Sequence, residues 1–79
     1  MNIQHGHARY WTTFVADNKD GFAGFRLHRE SFGRVADVGQ TTYWDATGGF
    51  AFATYAGEDV PVETVEAAIA EAREKIKTK

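Results

Sequence analysis

The chain has 79 residues, with 9 Lys+Arg against 11 Asp+Glu and a formal net charge of −2. This balance argues against a general polyanion binder, which would carry a basic surplus. With no cysteine, disulfides and thiolate zinc sites are excluded, and no apolar run approaches the roughly 20 residues of a membrane-spanning helix. The expectation is one small cytoplasmic domain with no membrane contact, whose thin core would gain from a partner.

Residues 1–8 show no hydrophobic period and no signal-peptide apolar core, and are read as a flexible lead-in to a single α+β domain over residues 9–79. Arg9 to Ala16 is rich in aromatic and β-branched types and predicts a strand. Asp17-Asn-Lys-Asp-Gly21 predicts a turn, because Asn and Asp bond to nearby backbone and Gly accepts positive φ. A second strand is expected from Phe22 to His28, and a reversal at Arg29-Glu-Ser31. Phe32 to Trp44 reads as one long strand with a bulge or bend near Gly39, or as two short strands divided there. Asp45-Ala-Thr-Gly-Gly49 predicts another turn, and Phe50 to Tyr55 a returning strand.

From Val60 the pattern changes to a helix. Val62, Val65, Ile69, Ala72 and Ile76 recur at steps of three and four, with Ala68 beside them. Pro61 suits a first turn, and Glu63 and Glu66 lie at the positive end. Arg73, Lys75, Lys77 and Lys79 gather at the negative end. Glu71 and Lys75 are spaced as an i,i+4 pair. The fold expected is α+β, an antiparallel β-meander of four strands, or five if the long one divides, with the C-terminal helix packed on one face.

One helix covers one face of such a sheet, and the aromatic content exceeds what that face needs. Trp11, Phe22, Tyr43, Phe50 and Phe52 are assigned to an interaction surface opposite the helix. The function this implies is a non-catalytic binding module, with a homodimer or another protein as partner.

The alternative is a single-strand nucleic-acid binder, in which Arg26, His28, Arg29 and Arg34 follow the backbone while rings stack on bases. The strands-then-helix order resembles that of transcription-cofactor and Whirly single-strand binders, a likeness of topology alone. A third reading is a small metal-binding protein using His5, His7 and His28, although two terminal histidines and a distant third make a weak zinc pattern. No metal site or cofactor is assigned. Asp17–Gly21 fails as a calcium loop, since Ala16 and Leu27 would fall at ligand positions. Asp45–Gly49 fails as a phosphate loop because it feeds a strand and not a helix. Asp37, Asp45, His28 and scattered hydroxyls form no catalytic set that spacing alone can establish, so no enzyme activity is expected.

Overall fold

The structure, a computed structural model, describes residues 1–55 and 57–76. Lys77 and Lys79, expected at the helix end, lie outside the described residues. Five antiparallel strands follow one another across a single sheet: β1 (Asn2–His5), β2 (Ala8–Asp17), β3 (Phe22–Ser31), β4 (Arg34–Trp44) and β5 (Gly49–Thr54). Helix α1 (Val62–Lys75) closes the chain. The α+β meander with a C-terminal helix is therefore the fold.

The expected turns form as their chemistry dictates. Asp17 Oδ1 accepts the N–H groups of Lys19 (2.9 Å) and Asp20 (3.2 Å), and Gly21 takes a positive φ of 72°. Gly48 closes the β4–β5 turn by donating to Trp44 O at 2.9 Å. A bulge also lies beside Gly39. The β3–β4 register shifts between Leu27 and His28, so that Val38 is the added residue on β4.

Three local expectations are corrected. The fifth strand is not half of Phe32–Trp44. It is β1, from the segment read as a lead-in, and its Ile3 pairs with Tyr10. Four residues are too few to show a period, and it is the partner strand that orders them. Second, the reversal expected at Arg29–Ser31 falls at Phe32–Gly33, both with positive φ (52° and 79°). That is the two-residue hairpin geometry matching strand twist.

Third, the buried stripe of α1 is rotated from the one expected. Thr64, Ala68 and Ala72 are buried, whereas Val62 is 68% exposed. Small side chains let the helix backbone come close to the sheet, and the contact turns toward them. Ile76, just past the helix, joins Ala72 and Phe25 in one core cluster. A second cluster holds Tyr10, Leu27 and Val38, with Phe52 and Val60 packed against it. Together these place the core between α1 and one sheet face.

A candidate recognition surface on the open sheet face

Register decides which side chains share the uncovered face. Trp11 stands opposite His28, Thr13 opposite Arg26, and Asp17 opposite Phe22. Across the next ladder His28 meets Asp37, Arg26 meets Gln40, and Phe22 meets Trp44. The bulge at Val38 inverts the alternation of β4, so Asp37 and Gln40 point the same way although three residues apart.

The result is an ordered row across the middle of the sheet. The Arg9 guanidinium lies over the Trp11 ring at 4.8 Å, and the Trp11 and His28 rings stack at 5.4 Å. His28 Nδ1 is 2.7 Å from Asp37 Oδ1, and its Nε2 is 2.7 Å from Thr13 Oγ1. The imidazole is thereby pinned from both sides, with its side chain only 14% exposed while Asp37 is 47% exposed. Next along, Gln40 Oε1 accepts from Tyr55 Oη at 2.9 Å and from Arg26 Nε at 3.4 Å, and Gln40 Nε2 donates to Thr42. Phe22 and Trp44 (40% exposed) sit together at the far end, rings 5.1 Å apart.

The residues assigned from sequence to the interaction surface divide between the two faces. Trp11 and Phe22 lie on the open face. Tyr43, Phe50 and Phe52 do not: they pack on the helix side, Tyr43 and Phe50 beside Phe25 and Ile76, Phe52 beside Leu27. Of the proposed anion contacts, Arg26 and His28 are on the open face. Arg29 is on the opposite side, 2.7 Å from Glu58, whose hydrogen bond raises the guanidinium pKa against the opposing effect of burial. Arg34 lies at the β3–β4 hairpin end, where a half-open groove of about 580 Å³ is lined by Arg29, Ser31, Phe32, Arg34, Val35 and Ala36.

The histidines do not assemble either. The His7 ring lies tilted against Phe32 at 5.4 Å, His28 is committed to Asp37 and Thr13, and no group of three potential ligands converges among the described residues.

Residues the sequence reading left out of the surface are Arg9, Thr13, Asp37, Gln40, Trp44 and Tyr55. A signal for part of this set was present. A turn closing Asp17 onto Phe22 pairs odd positions of β2 with even positions of β3, which groups Trp11 and Thr13 with Arg26 and His28. No family model, curated protein or solved structure matches the chain.

Proposed function

We propose that the protein is a non-catalytic binding module that holds another protein against the open face of its sheet. The observation that carries this reading is the row Arg9–Trp11–His28–Asp37 with Thr13, in which half-buried rings and more exposed polar groups are fixed in place before any partner arrives. Pre-ordered aromatic and arginine side chains lose little freedom on contact, which is why such residues dominate recognition energetics. With Tyr43, Phe50 and Phe52 turned to the helix, the face is half polar. That composition suits a partner of different sequence better than an apolar seam between two copies.

Asp37, His28 and Thr13 have the connectivity of a nucleophile with its base and orienting acid. On this face they serve a structural role. The imidazole between Thr13 and Asp37 has a side chain only 14% exposed and stacks on the Trp11 ring, so here the trio orders the surface. The nucleic-acid alternative is also less favoured, because Asp17, Glu30 and Asp37 share the face with Arg9 and Arg26.

The test is capture of partners by wild type and by the Trp11→Ala, Trp44→Ala double variant, with melting curves to establish folding. Loss of the captured protein from a folded variant is expected, and equal capture by both would overturn the reading. Short oligonucleotides at low salt should not bind.

A further inference from the structure

β5 is an edge of the sheet, and among the described residues nothing hydrogen-bonds to its outer side. An open edge is a row of free N–H and C=O groups, which proteins commonly guard with lysine, proline, inward charge or a covering segment. β5 has no such guard in its sequence: from Ala46 to Gly57 the chain contains neither a charge nor a proline. The opposite edge differs. β1 has only four residues, its Gln4 side chain bonds back to Gly6 O at 2.9 Å, and Met1 is tied to α1 through Glu71.

The direction of the free groups follows from the ladder. Tyr55 donates its N–H to Val38 O at 3.1 Å, and in an antiparallel pair alternate residues turn toward the neighbour. Ala51 and Ala53 therefore turn their backbone groups to β4, while Phe50, Phe52 and Thr54 turn theirs outward. The side chains alternate in step. Phe50 and Phe52 are half-buried on the helix side, and Ala51 and Ala53 are exposed on the other.

We propose that the protein forms a two-fold dimer by antiparallel pairing of β5 with β5 of a second copy, giving one continuous sheet. A second copy is the occupant because the strand is its own complement. Centred on Phe52, the pairing meets each outward N–H with a carbonyl and sets Phe52 against Phe52, Phe50 against Thr54 and Ala51 against Ala53. Small residues meet small ones on one face, larger side chains meet on the other, and no charge is buried. The half-buried Phe50 and Phe52 gain cover from their mates. The open face stays free, so this inference does not rest on the partner proposed above.

Sedimentation equilibrium of the full chain across a dilution series tests it. The expected mass at high concentration is twice the 8.8 kDa of one chain. Amide exchange at Phe50, Phe52 and Thr54 should slow as the dimer forms. Ala51→Lys with Ala53→Lys places like charges opposite each other and should raise the dissociation constant at least about tenfold. Mixing that variant with Ala51→Glu, Ala53→Glu should restore a heterodimer, which shows that both variants fold. A wild-type mass of 8.8 kDa at every concentration would overturn the proposal. So would a dimer that the lysine pair leaves intact, or one that Trp44→Ala dissociates while the lysine pair does not.

Discussion

Glu71 turns inward while Glu63, Glu66 and Glu74 stay in solvent. Its carboxylate, 8% exposed, takes hydrogen bonds from Thr12, from the Met1 ammonium at 2.5 Å and from Lys75 at 3.1 Å. Burial pushes its pKa up, but these donors together outweigh burial and hold it below the usual glutamate value. A carboxyl depressed on folding contributes stability above its unfolded pKa and loses it as pH falls through the folded one. Glu71→Gln should therefore lower the melting temperature at pH 7, by the equivalent of about 1–3 kcal/mol. As the pH falls through the depressed folded pKa, the carboxyl becomes protonated in both states and the difference should shrink. A deficit that stays constant as the pH is lowered from 7 through the acid range would mean that shape, and not charge, is what Glu71 supplies. The helical spacing of Glu71 and Lys75 made their pair legible. The bonds to Thr12 and Met1 were not, because they join residues that are distant in the chain.

At the scale of elements, the hairpins show how backbone demand overrides side-chain preference. The β3–β4 turn needs left-handed φ at both central positions, and Gly33 meets that need freely. Phe32 does not. A bulky side chain there costs about 1–2 kcal/mol, and Phe32 is 83% exposed with the His7 ring tilted against it. Phe32→Asn creates the Asn-Gly pair that this turn favours. It should raise stability by about 0.5–1 kcal/mol, a melting shift of several degrees for a domain of this size. A fall instead would show that the His7 contact contributes more than the turn strain costs. Gly24 marks the opposite constraint, since a Cβ there would sit 2.3 Å from Thr41 O, so the strands approach too closely for any side chain.

For the whole molecule, the helix is the cover without which the sheet has no core. Leu27 and Val38 are fully buried, and Phe25 lies against Ala72 and Ile76. A chain ending at Val60 should lose cooperative thermal unfolding and bind hydrophobic dyes, because that face would then be open to water. A sharp transition surviving the truncation would mean the strands are stable alone.

What the sequence determined by itself was local. Aromatic and β-branched runs between turn signals marked β2 to β5, the period of 3.6 marked α1, and Asp17–Gly21, Asp45–Gly49 and Gly39 placed two turns and a bulge through their own backbone chemistry. The tertiary structure decided which face each side chain occupies. Strand periodicity groups residues without saying which group is inside, and the one-residue bulge at Val38 inverts the grouping halfway along β4. Pairing with β2 also made a strand of residues 2–5, and the close approach of Ala68 and Ala72 to the sheet set the rotation of α1 and left Val62 in solvent. Each of these depends on contacts between segments far apart in the chain, where local preference carries no information.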